Sequence, residues 1–182
     1  HLGIQDKRVI SIVSKLLKAE IAGAGTPAKG TPQGGILSPL LSNIVLNELD
    51  WWISSQWETF ETKKNYDRKR IISGKIRLDK TLKYRTLKTT KLKEMFIVRY
   101  ADDFKIFCRS HQDAFKVFEA VKKWLKERLG LEINSEKSKV INLRKNYSQF
   151  LGFKIKVVAK GTKQVIRSHM SDSAKQQAIA KI

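Results

Sequence analysis

The chain is expected to fold as an α+β domain, an antiparallel sheet with helices packed on one face, and three features carry that expectation. Apolar residues recur at helical spacing in several stretches. Two apolar runs, Met95-Phe96-Ile97-Val98 and Phe104-Lys105-Ile106-Phe107-Cys108, flank a short polar turn and read as a β-hairpin. A further helix and strand follow the hairpin. With 182 residues, 41% of them hydrophobic, the chain can fill one sizeable core.

From Ile4 to Ala22 the apolar positions Ile4, Val9, Ile12, Val13, Leu16, Leu17 and Ile21 describe an amphipathic helix. The glycine-rich stretch from Gly23 to Gly30, with Pro27, reads as loop or short ribbon. Ser38 then suits a helix cap and Pro39 a first helical turn, and Leu40, Leu41, Ile44 and Val45 extend the helix to about Trp51 or Trp52. Residues 51–93 differ: 13 Lys or Arg stand against 4 Asp or Glu, a net of +9, among Trp51, Trp52, Trp57, Phe60, Tyr66 and Tyr84. This segment reads as a basic insertion, helical near its start and ribbon or loop around Ile71–Ile76. A solvated excursion and a phosphate-tracking surface with stacking aromatics fit it equally.

After the hairpin, Ser110 with Asp113 marks a helix start; Ala114, Phe115, Phe118, Val121, Leu125 and Leu129 form its apolar stripe, and Gly130 ends it. Leu131–Ile133 reads as a short strand, Phe150–Val158 as another with a loop at Ala159-Lys160-Gly161, and the chain from Ser171 as a helix.

Charge narrows the partners. Lys and Arg number 37 against 17 Asp and Glu, and a net charge of +20 makes physical sense chiefly beside a polyanion. Nucleic acid is the leading partner. An anionic membrane surface is the competing reading, but there is no apolar run of about 18 residues and no signal-peptide pattern. Cys108 is the only cysteine, which excludes a disulfide within the chain and fits a reducing compartment. His1, His111 and His169 have no neighbours at zinc-ligand spacing.

The turn itself is Tyr100-Ala101-Asp102-Asp103. Two adjacent carboxylates repel each other, where a hairpin would ordinarily take Asn-Gly or Asp-Gly. A divalent cation relieves the repulsion, and Mg²⁺ is commonly held by one or two carboxylates plus substrate phosphates. A solvated surface turn is the plainer reading of the same pair.

Four ordered blocks decide between them. The segment "TPQGGILSPLLSNIVLNELD" from Thr31 to Asp50 resembles the block after the first catalytic motif of group II intron reverse transcriptases, also called intron-encoded maturases. "FIVRYADDFKIF" from Phe96 to Phe107 resembles their catalytic block, and "LGLEINSEKSKVI" from Leu129 and "FLGFKI" from Phe150 resemble the next two. The wording around Pro32-Gln33-Gly34-Gly35 is similar to the intron class rather than to retron enzymes, while reverse transcriptases associated with CRISPR systems share the same stock.

The resemblance implies a reverse transcriptase palm. It makes Asp102 the principal metal ligand and Asp103 its neighbour in a pair of Mg²⁺ ions; Tyr100 and Ala101 form the wall near the primer end, with Gln33, Gly34 and Gly35 along the template–nucleotide pair. Lys137 matches the lysine directed at the nucleotide triphosphate, with Lys139 two residues on, and Phe150-Leu151-Gly152 resembles the primer grip. Lys63, Lys64, Arg68, Lys69 and Arg70 are the candidate RNA contacts of the insertion. The family's further catalytic Asp and its fingers precede the block at Ile4; neither is in this sequence, Asp6 is no substitute, and Asp50 is expected to cap or pair on the surface. The expectation is therefore a partial palm at 1–165, inactive on its own, with 166–182 connecting to a thumb or maturase domain. Implied partners are group II intron RNA, an RNA template with a DNA primer, and a deoxynucleoside triphosphate. No membrane is involved, a homodimer is compatible, and the setting is bacterial cytoplasm or an organelle matrix. A non-catalytic splicing factor that retains the fold is the rival reading.

Overall fold

The computed structural model describes residues 5–18, 25 and 38–180. It divides into two compact units, residues 1–50 with 99–104, and residues 51–98 with 105–182. The class is α+β, and among the described residues the strands are distributed over three small antiparallel sheets.

The first unit holds helix α1 (Lys7–Leu17) and most of α2 (Ser38–Gln56). α1 starts at Lys7 because Asp6 caps it: the carboxylate accepts from the Arg8 and Val9 amides at 2.7 and 3.4 Å, while Ile4 and residues 19–22 of the expected helix lie outside the described residues. Its apolar residues Val9, Ile10, Ile12, Leu16 and Leu17 are exposed. In α2, Ser38 is the first helical residue rather than the cap, and the helix continues past Trp52 to Gln56. Leu46, Leu49 and Ile53 fall on one helical face and are buried, so burial of Ile53 and of Trp57 just beyond explains the extra turn.

The second unit contains β1 (Arg68–Ile72), β2 (Lys75–Asp79), α3 (Thr81–Leu87), α4 (His111–Leu129), β5 (Ser148–Phe150), β6 (Phe153–Lys160), β7 (Lys163–Met170) and α5 (Asp172–Ile179). Strands β3 (Met95–Tyr100) and β4 (Asp103–Cys108) pair as the expected hairpin. The core of this unit buries Ile53, Trp57, Leu87, Met95, Val117, Val121 and Leu125. Trp52 stacks on Trp124 at 5.0 Å, worth about 0.5–1.5 kcal/mol beyond buried area, and Trp57, Tyr84 and Phe96 form a second aromatic row.

Within residues 51–93 the ends therefore supply core, through Ile53, Trp57 and Leu87, while β1–β2 is an exposed ribbon turning at Ser73-Gly74. Helix α3 follows the ribbon in a stretch for which the sequence predicted no element. It starts where the Thr81 amide donates to Asp79 Oδ1 at 2.9 Å.

Helix α4 begins and ends as expected. Ser110 Oγ accepts from the Asp113 amide at 3.1 Å, and Gly130, with φ 65°, closes the helix while the Leu131 amide reaches back to the Leu125 carbonyl at 3.0 Å. Its buried stripe is Val117, Val121 and Leu125; Phe115, placed in the stripe by periodicity, is exposed. Residues 131–133 are loop, not strand, because Asn134 folds the chain into a turn instead.

The stretch Phe150–Val158 is not one strand. It breaks at Leu151-Gly152, whose φ angles of 49° and 77° make the two-residue turn of a β5–β6 hairpin in which Phe150 faces Phe153. Strand β6 then runs on through Ala159 and Lys160, and the β6–β7 turn uses Gly161 with φ 60°. The helix expected near the end is present as α5, capped by Ser171 Oγ on the Ala174 amide at 3.2 Å. The Ser171 amide also donates to the Gly152 carbonyl at 2.7 Å, which braces the Leu151-Gly152 turn against the start of α5.

Leucine is a poor residue for a left-handed position, where Asn is tolerated. Leu151→Asn is expected to raise stability by about 0.5–1 kcal/mol, read as a higher urea midpoint with unchanged slope. A lower midpoint would show that packing of the half-exposed leucine outweighs its backbone strain.

Candidate active site

Strand β3 ends at Tyr100 and β4 starts at Asp103, so only Ala101 and Asp102 span the turn. Ala101 has φ 52° while Asp102 stays at negative φ, the sign pattern of a type II′ turn, which normally places glycine first. A left-handed alanine costs about 1–2 kcal/mol. The turn is held in that shape from within its own unit. Arg99 Nη1 donates to the Ala101 carbonyl at 2.7 Å and to Asn43 Oδ1 at 2.7 Å, while Nε lies 3.0 Å from both Asp50 oxygens and Nη2 2.6 Å from Asp50 Oδ2. Asp50 pairs, but in a part-buried bridge rather than on the surface as expected, and its partner is the arginine beside the turn.

Asp102 and Asp103 are exposed, and among the described residues neither carboxylate has a hydrogen bond or ion pair. Adjacent hard oxygen donors with open lone pairs fit Mg²⁺, which retains several waters and needs few protein ligands. Among the described residues no group of three or more His, Cys, Asp or Glu converges. Tyr100 is exposed and Ala101 half-buried on the same turn. Gln33, Gly34 and Gly35 lie outside the described residues.

The other expected site residues belong to the second unit. Lys137 is exposed at the end of a turn in which Asn134 Oδ1 accepts from the Glu136 and Lys137 amides, each at 3.0 Å. Its backbone is thereby fixed, and its ammonium is unpaired among the described residues, as is that of exposed Lys139. Phe150, Leu151 and Gly152 form the braced turn described above. Half-buried Cys108 is no nucleophile: burial, followed by the charge of Asp113, pushes its thiol up to about 11.

Lys63 and Lys64 are exposed just before the ribbon. The β1–β2 register sets Arg68, Arg70, Arg77 and Lys75 on one face with Asp79, and Lys69, Ile71, Ile76 and Leu78 on the other. Arg70 stands directly opposite Arg77, an unfavourable pairing unless an anion is near, and its Nε bridges to Asp79 Oδ2 at 2.6 Å. The hydrogen bonds from Thr81 hold the Asp79 carboxyl below its ordinary value against the desolvation that opposes them, with the charges of Arg70 and Arg68 adding lesser contributions. Arg68, Arg70 and Asp79 line a shallow cavity of about 140 Å³ together with Arg85 of α3. Arg77 and Arg85 were not singled out from sequence; the alternation in Lys75-Ile76-Arg77 was the available signal for the first.

A second basic face was also missed. The β6–β7 register aligns Lys154 with His169, Lys156 with Arg167 and Lys160 with Lys163 on one side of the three-stranded sheet. The Lys156 ammonium sits 5.1 Å from the centroid of the Tyr147 ring, and Lys154 pairs with Asp172. Among the described residues no helix is long and apolar enough to cross a membrane.

A profile of the family described as reverse transcriptase (RNA-dependent DNA polymerase) matches residues 4–155. The chain belongs to that family. This reverse transcriptase chain is 32% identical over 192 residues to the group II intron-encoded protein LtrA of Lactococcus lactis subsp. cremoris, covering 89% of the chain and 32% of the relative. It is 32% identical over 178 residues to a COX1/OXI3 intron 2 protein of Saccharomyces cerevisiae, covering 85% of the chain and 21% of the relative. Protein YkfC of Escherichia coli is 29% identical over 166 residues, covering 84% of the chain and 40% of that protein. The reverse transcriptase chain thus spans between about a fifth and two fifths of the length of these relatives.

Proposed function

We propose that the chain is the palm region, residues 1–165, of a group II intron-encoded reverse transcriptase that copies RNA into DNA and binds its intron RNA to assist splicing and mobility. Residues 166–182 lead toward a thumb or maturase domain. The observation that carries the reading is the exposed Asp102–Asp103 pair on a two-residue hairpin turn, without a hydrogen bond or ion pair among the described residues, in a chain whose family match spans residues 4–155.

In this reading Asp102 is the principal ligand of Mg²⁺ and Asp103 the second carboxylate of the pair. When bound there, Mg²⁺ supplies positive charge to the attacking and leaving oxygens of nucleotidyl transfer. The chain's own contributions are positional and electrostatic. The exposed Tyr100 ring and the small Ala101 side chain line the space for the primer end and the incoming sugar. Gln33, Gly34 and Gly35 are assigned to contact with the template–nucleotide pair on the resemblance of their motif. Lys137 offers an ammonium to the departing pyrophosphate, as charge stabiliser or proton donor. The Phe150-Leu151-Gly152 turn supports the primer backbone, and its bond to Ser171 keeps it rigid enough to do so.

The basic ribbon supplies contacts to intron RNA or the template duplex. Lys63, Lys64, Arg68, Lys69 and Arg70 are joined there by Arg77 and Arg85. The protein acts in bacterial cytoplasm or an organelle matrix, on an RNA template, a DNA primer and deoxynucleoside triphosphates.

Primer extension on an RNA template by the natural full-length protein, with and without Mg²⁺, tests the reading. Extension that requires Mg²⁺ is expected. RNA binding with no extension at any Mg²⁺ concentration would instead identify a splicing factor that retains the fold without the chemistry.

A further inference from the structure

We propose that Arg99 is the positioning residue for the Asp102–Asp103 turn, and that Asp50 and Asn43 are the groups that hold Arg99 in place; this rests on the polymerase reading above. Ala101 adopts φ 52° without being glycine, so local backbone preference works against the conformation that presents the two carboxylates. Something outside the turn must hold it, and the only side-chain hydrogen bond to the Ala101 carbonyl among the described residues comes from Arg99 Nη1 at 2.7 Å.

That bond is unusually well anchored. The Arg99 side chain is only 11% exposed, and all three guanidinium nitrogens are engaged. Asp50 takes one edge of the planar fork with both oxygens, and Asn43, two helical turns earlier on α2, accepts from the same Nη1 that holds the turn. A long side chain that would otherwise sample many rotamers is thus locked, and the rigidity of α2 is passed to the Ala101 carbonyl. Asp50 has a second effect. Arg99 lies three residues from Asp102, close enough in sequence that a released guanidinium could pair with the carboxylates and compete with a divalent cation for them. With its charge matched by Asp50, Arg99 braces the turn without neutralising it.

Lysine cannot reproduce this arrangement, because a point charge with tetrahedral donors lacks the planar fork that spans Asp50 and the carbonyl together. The test uses the natural full-length protein with Arg99→Lys, Asp50→Asn, and the double variant. Each single variant is expected to lower single-turnover incorporation by roughly a hundredfold, the order of loss for a misplaced reacting group. The double variant should be no worse than the more severe single one, because the two residues act as one unit.

Two readouts do not depend on catalysis. Mn²⁺ titration followed by electron paramagnetic resonance should show weaker binding in both single variants, by about tenfold. Amide hydrogen exchange should accelerate over residues 100–104 and stay unchanged over the Leu46–Ile53 face of α2. Faster exchange throughout α2 would reduce Arg99 to a general fold contact and overturn the proposal. Parental Mn²⁺ affinity and parental exchange in Arg99→Lys would overturn it as well. A parent protein that fails to extend primers contradicts the polymerase reading instead, and leaves the Mn²⁺ and exchange measurements to judge Arg99 independently.

Discussion

Asp102→Ala in the natural full-length protein is expected to abolish DNA synthesis, with a loss beyond roughly a hundredfold, while RNA affinity holds or rises slightly. Asp103→Ala should behave in the same way. The sign of the RNA effect follows from charge: each substitution removes a carboxylate from a chain of net charge +20, so every group that attracts phosphate stays in place. In the structure neither carboxylate is tied to a donor among the described residues. Stability should therefore change little, and single-turnover incorporation beside an RNA-binding titration separates the two effects. Incorporation by Asp102→Ala within about tenfold of the parent would overturn the assignment of the active site.

Replacing Lys63, Lys64, Arg68, Lys69 and Arg70 together with Gln is expected to weaken RNA binding and to flatten its dependence on salt. For every phosphate no longer neutralised, the slope of log affinity against log salt should fall by about 0.7–0.9. The five residues will not count equally. Arg70 is already bridged to Asp79, so its removal frees an anion as well as deleting a cation; Arg68 stands opposite the same carboxylate without bridging to it, and Lys69 has no carboxylate partner among the described residues. Exposed residues on a two-stranded ribbon can be exchanged without disturbing the buried core of Trp57, Leu87 and Val121, so unfolding is not a competing explanation. Incorporation on a bound primer–template should change far less than affinity. Unchanged affinity with abolished incorporation would mean that the ribbon serves the cleft or a protein interface.

The features legible in the sequence share one property: their causes lie within a few residues of their effects. Ser110 and Gly130 bracket α4 because capping hydrogen bonds are local, and the Tyr100–Asp103 turn is readable because apolar runs adjoin it on both sides. The +20 charge and the ordered blocks that match the reverse transcriptase family are also properties of the chain alone. Where burial decides, local pattern is not enough. Periodicity cannot choose between Phe115 and Val117 for the buried side of α4, nor foresee that Ile53 carries α2 on to Gln56, because the answer depends on which surface another element covers. Seven residues of α3 with only Leu87 buried leave no stripe to detect. The strand break at Leu151-Gly152 defeats residue preference, since leucine argues against a left-handed turn that the Ser171 bond helps to hold.

By itself, then, the sequence determined the family and the strongly basic charge, and it marked the adjacent carboxylates of the Tyr100–Asp103 turn, because motif, composition and turn chemistry are written in neighbouring residues. Tertiary structure alone decided how the carboxylates are presented. Asp50 and Arg99 stand 49 positions apart, and only folding brings a carboxylate on α2 against a guanidinium on β3, where one planar fork can grip both a helix and the carbonyl of a strained turn.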